Sequence, residues 1–378
     1  MSKPYGKTAW NFRGYRIVKR ELVGAWTRVL AAGIALLASL LVSALLVDLA
    51  GGSAWDAFVS LIQGGFGDWG TFLETLVKST PILLTALAAI VAYRAKLWNI
   101  GMEGQLFAGA TTAYLAYVAL PGLPVWLHLI IIAIAGCLGG ALWAVIAALL
   151  KAYFNVDEII TTVMQNYIIT YLLALLLSSV WREQGSIYRQ TPQLPAAYHW
   201  PFLWPNSRLH IGFALAVLAA FLVWYLLQKT PLGYEIRSVG FNSLASRFKG
   251  ISIHGTWIVT MLISGALAGF AGVGELFGVQ HRLRMDLSTG YGFIGIIVAM
   301  LSGLDPLLAV PVSIFFGGLL NGAILMQIIT KVPTALIEVV EAIILVFLLV
   351  SQVLVSYKFL PKSRGESRDV TAGVQSHE

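Results

Sequence analysis

The sequence predicts an all-α protein that crosses a membrane several times. Of its 378 residues, 58% are hydrophobic and only 11% are charged, and the mean hydropathy is +0.80. A soluble protein carries about 25% charged residues, so this composition excludes an ordinary soluble domain. We expect about ten transmembrane helices, arranged as two inverted halves formed by spans 2–5 and 7–10, with both termini in the cytoplasm.

Each predicted span is an apolar stretch close to the roughly 20 residues that a membrane helix needs. Three of them, the second, third and eighth, are short. The stretches lie near residues 29–48, 76–93, 105–120, 125–150, 159–180, 209–228, 257–279, 290–303, 306–329 and 334–356.

The distribution of lysine and arginine predicts the orientation, because the cytoplasmic loops of membrane proteins carry an excess of both. Alternate segments hold 18 and 7 of the 25 basic residues. The richer set includes residues 1–28, the loop 229–256 and the tail 357–378, which we therefore place in the cytoplasm. The net charge of +7 is thus a topology signal, and we expect membrane lipid rather than nucleic acid around this chain.

The predicted membrane domain covers residues 29–356, with polar segments on either side. The basic region 1–28 is longer than that of a secretory signal, which favours an uncleaved first helix. The loop 181–208 is the largest outward segment, and its Trp and Tyr residues predict an ordered cap near the interface. The polar tail 357–378 is predicted to be disordered.

The sequence lacks the motifs of a nucleotide-binding or catalytic site. No GxxxxGK[ST] loop, HExxH pair or GxSxG elbow occurs, and the single cysteine, Cys137, excludes a disulfide within the chain. We therefore predict that the protein is not an enzyme and needs no metal or cofactor. The glycine-rich stretch 272–278 lies inside an apolar span, where it and Gly265-xxx-Gly269 favour close helix packing.

A polar motif interrupts the apolar sequence in the stretch AKLWNIGMEGQLFAGA, residues 95–110. Asn99, Glu103 and Gln105 would be costly there without partners. One interpretation is a broken helix that lines a solute pathway, as in many transporters. The other is an ordinary helix start, with Asn99 as N-cap and Glu103 stabilised by the helix dipole. The residues alone are compatible with both.

A second polar cluster lies on the apolar helix predicted over 159–180. Thr162 and Asn166 share one face at spacing i, i+4, as do Thr161 and Gln165. These side chains either bond to neighbouring helices or contact a polar solute with hydroxyl and amide groups.

The inward loop 229–256 has the pattern of a short amphipathic helix. Leu244, Phe248 and Ile251 recur at spacings of four and three, and Asn242 is placed to cap the helix. The helix would lie on the membrane surface or insert into a groove on a cytoplasmic partner. We favour docking, because a chain that moves solute uphill without a nucleotide site needs an external motor.

Four motifs together resemble a known family. In chain order they are LWNIGMEGQLFAGA, VDEIITTVMQNYI, GYEIRSVGFNSLASRFKGI and DLSTGYGFIGIIVAMLSGLDP. They resemble the membrane permeases of nucleoside-type ABC importers, in the group that includes ribose and branched-chain amino-acid permeases. The resemblance covers most of residues 75–350, and the NIGxEGQ signature is similar to that of the nucleoside and simple-sugar branch.

This resemblance implies a multi-pass permease subunit of an ATP-driven importer in the cytoplasmic membrane of a bacterium or archaeon. It implies three partners: a second permease chain, often a different one, a cytoplasmic ABC ATPase, and an extracytoplasmic substrate-binding protein. The predicted pathway residues are Asn99, Glu103, Gln105, Thr162, Asn166, Tyr291 and Phe293. The residues predicted to couple to the ATPase are Gly240, Asn242, Leu244, Ala245, Arg247, Phe248 and Gly250.

Two alternatives stay open at this point. Within the family, the solute would be a simple sugar such as ribose instead of a nucleoside. In another class, the chain would be an ion-coupled secondary transporter, because intramembrane carboxylates can carry protons. The carboxylates within or near predicted spans are Glu103, Glu275, Glu338 and Glu341.

Overall fold

The computed structural model describes residues 10–12, 15–19 and 25–361. The chain divides into two compact units, one from residues 1–50 and 338–378 and the other from residues 51–337. The helices are α1 (Ala25–Leu49), α2 (Ala54–Phe66), α3 (Trp69–Arg94), α4 (Met102–Ala119), α5 (Val125–Phe154), α6 (Glu158–Ser178), α7 (Gly212–Lys229), α8 (Pro231–Phe241), α9 (Ser243–Phe248), α10 (Ile253–Gly274), α11 (Tyr291–Leu301), α12 (Ala309–Thr330) and α13 (Thr334–Ser356). A 3₁₀ turn forms at Ala196–Tyr198 and a π-helical turn at Glu275–Gln280.

The first unit contains α1 and a small antiparallel sheet. Its strands are β1 (Trp10–Phe12), β2 (Tyr15–Lys19) and β3 (Tyr357–Pro361), in the order β1-β2-β3. The predicted all-α class is confirmed for the rest of the described chain, and these three short strands are the departure from it. One of them, β3, occupies the first residues of the predicted tail. The pairing of β2 with β3 joins segments near opposite ends of the sequence, so it leaves no local signal. The rest of the predicted tail, 362–378, lies outside the described residues.

Seven helices of the described part of the chain are long and apolar enough to cross a membrane. They are α1, α3, α5, α6, α7, α10 with its π-helical turn, and α12. Every predicted span coincides with a helix, but the count of ten is not confirmed. The helix α11 has only 11 residues, and α4 begins with the polar residues Glu103 and Gln105.

The second span begins earlier than predicted. Helix α3 starts at Trp69, where Asp68 and Thr71 form a reciprocal capping box, and it continues through Pro81. Lys78 therefore lies inside this helix and not in an outward loop. In α3, 94% of the most apolar window is buried, compared with 28% in α6 and α7, so α3 is an interior helix of the second unit.

Glycines bring α4, α5 and α10 into backbone contact. A Cβ added to Gly109 would lie 2.3 Å from Gly269 Cα, and one added to Gly140 would lie 2.3 Å from Gly265 O. A Cβ at Gly272 would lie 2.1 Å from Leu106 O. No side chain fits at these positions, so the predicted close packing around 265–278 is confirmed.

The loop 181–208 is ordered by backbone hydrogen bonds to the segment after α10. Thr191 N donates to Leu283 O at 3.1 Å, Leu194 N to His281 O at 2.9 Å, and Trp200 N to Phe277 O at 3.0 Å. The ordered cap predicted from the sequence is thus present. Its position on the outer side of the membrane stays a prediction.

Candidate functional site

The polar motif forms a break between α3 and α4, and the Asn99 side chain organises it. Its Nδ2 donates to Gln105 Oε1 (3.1 Å) and to Ser264 Oγ on α10 (3.0 Å). Its Oδ1 accepts from Gly101 N (2.9 Å) and Gln105 Nε2 (3.0 Å). Asn99 and Gln105 have 0% exposure. Every hydrogen-bonding position of the Asn99 amide is therefore filled within the chain.

Two side chains of α6 hold the backbone of the same break. Thr162 Oγ1 accepts from Ile100 N at 3.2 Å. Asn166 accepts from Gly104 N at 2.8 Å through Oδ1 and donates to Ile100 O at 3.0 Å through Nδ2. A break in lipid leaves backbone groups without helical partners, and here α6 supplies those partners.

Thr161 and Gln165, the other pair of the polar cluster on α6, do not bond to the break. Gln165 Nε2 donates to Trp143 O on α5 at 2.9 Å, whereas Thr161 bonds within its own helix to Asp157 O. The predicted bonds to neighbouring structure are therefore confirmed for Thr162, Gln165 and Asn166.

The Glu103 carboxylate lies at the N-terminus of α11. Its Oε2 accepts from Gly292 N at 2.7 Å, and a Cβ on Gly292 would lie 2.4 Å from Glu103 N. The first N–H groups of a helix have no helical partners, and the helix dipole favours a negative charge there. Glu103 thus caps α11 from a different helix, in addition to lying in the first turn of α4.

The start of α11 carries the two aromatic residues predicted for the pathway. Tyr291 is buried, its carbonyl accepts from Thr85 Oγ1 at 2.9 Å, and its hydroxyl accepts from Lys78 Nζ at 3.3 Å. Phe293, by contrast, is 46% exposed. Of the predicted pathway residues, Phe293 alone presents a large exposed side chain in the described chain. The pathway roles stay predictions for all seven residues, which are Asn99, Glu103, Gln105, Thr162, Asn166, Tyr291 and Phe293.

An ion pair holds the start of the break near Trp98. Lys151 at the end of α5 pairs with Glu158 in the first turn of α6, and Glu158 Oε1 accepts from Trp98 N at 3.3 Å. The Lys151 ammonium also lies 5.2 Å from the centre of the Trp257 ring on α10, a cation–π distance. This pair joins three helices to the break.

The predicted loop helix forms as α9, which ends at Phe248, so Ile251 lies beyond it. Helix α8, which was not predicted, precedes it, and the two helices meet at Asn242. Asn242 Oδ1 accepts from Ala245 N at 3.1 Å, so the predicted N-cap is confirmed. Gly250 has φ +82°, the left-handed conformation that ends helices. Gly240 belongs to the last turn of α8 and packs against α3 instead of merely preceding the cap.

The surface of α8 and α9 is apolar and open. Phe248 is 87% exposed and Leu244 69% exposed. A groove of about 430 Å³ lies beside them, with Arg237 and Lys249 in its wall. The pKa of Tyr234 in the same wall is lowered by a hydrogen bond with Ser238 and by Lys249. Phe241 is a third exposed apolar side chain beside them, and a group of exposed apolar side chains is typical of an interaction surface.

Several residues of the site were not predicted from sequence. Ser264, Thr85 and Glu158 each bond to a predicted residue or its neighbour. Ser264 and Thr85 are small polar residues in apolar helices, a weak signal because many such residues bond only to their own helix. Glu158 is a first-turn glutamate with an ordinary helix-start role. Only the fold shows their partners.

The four glutamates considered for an ion-coupled transporter lie in separate places in the chain. Glu103 caps α11, and Glu275 is buried at the start of the π-helical turn, where Lys78 and Arg208 provide opposite charge. The side chains of Glu338 and Glu341 lie outside the described part of the chain. In the described residues, no group of three or more His, Cys, Asp or Glu is placed to hold a metal ion.

Comparisons with known proteins give consistent matches. A model of the family described as the permease component of branched-chain amino acid transport systems matches residues 71–349. The guanosine ABC transporter permease protein NupP of Bacillus subtilis is 37% identical over 83% of this chain and 91% of its own length. The nucleoside ABC transporter permease protein NupB of Lactococcus lactis is 33% identical over 82% of this chain and 85% of its own. The glucose ABC transporter permease protein TsgB13 of Haloferax volcanii is 32% identical over 80% of each chain.

Proposed function

The chain belongs to the family of permease components of branched-chain amino acid transport systems, and from this premise we propose that it is the permease of an ATP-driven nucleoside importer. It is a multi-pass protein of the cell membrane. The observation that carries the proposal is the 37% identity to a guanosine permease over 83% of the chain. ATP hydrolysis belongs to a partner chain, and this subunit forms the route for the solute.

The proposed membrane topology has ten crossings and cytoplasmic termini. Without Lys78, which lies inside α3, the predicted segments hold 18 basic residues on the cytoplasmic side and 6 on the outer side, which supports this orientation. With this topology α8 and α9 lie on the cytoplasmic side and the loop 181–208 on the outer side.

The proposed ATPase contact is the open surface of α8 and α9. Leu244 and Phe248 would insert into the partner, as apolar anchors of a short helix in a groove do. The residues proposed for this contact are Gly240, Asn242, Leu244, Ala245, Arg247, Phe248 and Gly250. Arg237 and Lys249 beside the groove would favour a partner surface with acidic residues.

The proposed solute route runs along α11. Phe293 on its exposed side would stack on a nucleoside base. Tyr291 lies in the same first turn of α11, and Glu103 reaches that turn from α4 through its bond with Gly292 N. In this conformation Asn99, Gln105, Thr162 and Asn166 brace the break from inside. They would reach the solute when the helices around the break separate during transport.

Three partner chains complete the proposed importer. These are a second, different permease chain, a cytoplasmic ATPase with two nucleotide sites, and an extracytoplasmic substrate-binding protein that delivers the nucleoside. The family assignment supports this composition.

Uptake by the assembled transporter tests the proposed function. The chain would be produced with its partner chains, reconstituted into liposomes, and given radiolabelled guanosine with the binding protein. We expect uptake that requires ATP on the ATPase side and persists when an ionophore removes ion gradients. Uptake without ATP, or its collapse with the ionophore, would support the ion-coupled rival instead.

A simple sugar is the second candidate solute. The 32% identity to a glucose permease over 80% of the chain favours it. The binding protein that copurifies with the chain discriminates between the two, because it selects the solute for delivery. Calorimetric binding of guanosine but not of ribose or glucose is expected, and the reverse result would replace nucleoside by sugar.

A further inference from the structure

The short helix α11 is held at both ends by charged side chains from the two sides of the break. Glu103, just after the break, accepts from Gly292 N at 2.7 Å. Arg94, just before the break, donates to Leu304 O through Nε at 3.1 Å and Nη2 at 2.7 Å. The helix is 11 residues long, about 16 Å, so these two residues span its whole length.

The charges match the ends that they hold. The last carbonyls of a helix have no helical partners and form the negative end of its dipole, which a guanidinium stabilises. Leu304 N bonds back to Ala299 O at 3.0 Å, so Leu304 belongs to the terminating turn of α11. The acidic residue is at the positive end and the basic residue at the negative end.

Close packing between α3 and α11 leaves these two helices little freedom to move separately. A Cβ on Gly295 would lie 2.3 Å from Thr85 Oγ1 and 2.8 Å from Ala86 N, both on α3. With no space between α3 and α11, a shift of the inner end of α3 displaces α11 along with it.

The helix pair α8–α9, which carries the proposed ATPase contact, also packs against Arg94. Gly240 in the last turn of α8 packs against the end of α3, where an added Cβ would lie 2.0 Å from Arg94 O. From there α8 continues into α9 through the Asn242 cap, with Asn242 N bonded to Ser238 O at 3.0 Å. Arg94 therefore touches α8 with its backbone and α11 with its side chain.

We propose that Arg94 is a positioning residue that transmits movement of the α8–α9 surface to α11. The inference rests on the proposed function, because it takes α8–α9 as the ATPase contact and α11 as part of the solute route. When the partner moves α8, Gly240 pushes the backbone of Arg94, and the guanidinium carries Leu304 and α11 with it. Without the Arg94 side chain, the ATPase would still hydrolyse ATP, but α11 would no longer move with α8.

The test is the amount of guanosine taken up per ATP hydrolysed by the reconstituted transporter. Arg94→Gln removes the charge and shortens the reach, and we expect this ratio to fall about fivefold with ATP hydrolysis largely preserved. Arg94→Lys, which keeps the charge, should fall between wild type and Arg94→Gln. A residue with a merely structural role would lower uptake and hydrolysis together and leave the ratio unchanged.

Two further variants make the result decisive. Lys96→Gln is the matched control, because Lys96 is an exposed cation two positions away, and it should keep the wild-type ratio. Gly240→Ala tests the contact from the α8 side and should lower the ratio with Arg94 intact. If the Arg94→Gln protein does not fold and cannot be purified, the Arg94→Lys and Gly240→Ala proteins provide the test. A wild-type ratio of uptake to ATP hydrolysis in both of these variants overturns the inference. Absence of ATP-dependent uptake in the wild type would instead overturn the proposed function.

Discussion

At the scale of single residues, the break between α3 and α4 depends on side chains that replace backbone partners. Asn166 is the clearest case, because its one amide both accepts from Gly104 N and donates to Ile100 O. A buried backbone group without a partner costs about 1–3 kcal/mol. Side chains such as that of Asn166 therefore stabilise the folded chain whether or not they also contact solute.

Asn166→Ala should lower the free energy of unfolding by about 2–4 kcal/mol, because it leaves two buried backbone groups unpaired. Thermal unfolding of the purified chain in detergent would measure the loss. Thr170→Ala is the matched control, since Thr170 lies one turn further along α6 and bonds only to Asn166 O in its own helix. Equal unfolding temperatures for both variants would contradict the bracing role.

Glu103→Leu should lose both the bond to Gly292 N and the charge at the N-terminus of α11, a cost of about 2–3 kcal/mol. Glu103→Gln keeps an oxygen that can accept this bond, so it should retain most of the stability. Uptake of guanosine would separate the roles: normal uptake by Glu103→Gln shows that the charge is not needed on the solute route. A Glu103→Leu variant as stable as wild type would refute the capping of α11.

At the scale of elements, the bundle is organised by helices that approach at glycines. The apolar spans and the glycine packing around 265–278 were predictable, because composition and small-residue spacing are local properties of the sequence. The boundaries were less accurate: α3 begins at Trp69, since a capping box lies ahead of the apolar stretch. The polar character of Lys78 hid its place within the helix.

Gly272→Ala should destabilise the chain by about 1–3 kcal/mol, because the new methyl group would lie 2.1 Å from Leu106 O and force α4 and α10 apart. Gly274→Ala lies on the same helix, where the nearest atom to the new methyl is Trp200 Cζ3 at 3.7 Å. This control should be neutral or stabilise by up to about 1 kcal/mol, since alanine favours helix. Unfolding temperatures in detergent compare the two, and an equal loss would contradict the packing argument.

At the scale of the whole molecule, the proposed importer needs partner chains, and the α8–α9 surface is the proposed place where one of them binds. Leu244 and Phe248 are 69% and 87% exposed on this chain. The proposed contact with an ATPase would account for these exposed apolar side chains.

Leu244→Glu with Phe248→Glu should prevent stable assembly with the ATPase, because burying two carboxylates in an apolar contact costs several kcal/mol. Copurification of the partner with the tagged chain measures assembly. Ile187→Glu, which changes an exposed apolar residue of the loop 181–208, is the control and should leave ATPase copurification unchanged. Retention of the ATPase by the double variant would contradict the proposed contact.

The sequence by itself determined the class of protein, the places of its long apolar helices and the Asn242 cap, because hydropathy, periodicity and capping act over a few neighbouring residues. It did not indicate α2 or α8. It did indicate the break at 95–101 through the polar residues that no bilayer would tolerate alone. Only the tertiary structure decided their partners. Asn99 reaches Ser264 across 165 positions, Glu103 reaches Gly292 across 189, and Arg94 reaches Leu304 across 210. A hydrogen bond depends on distances of about 3 Å between atoms, and such distances between remote segments exist only once the helices have packed.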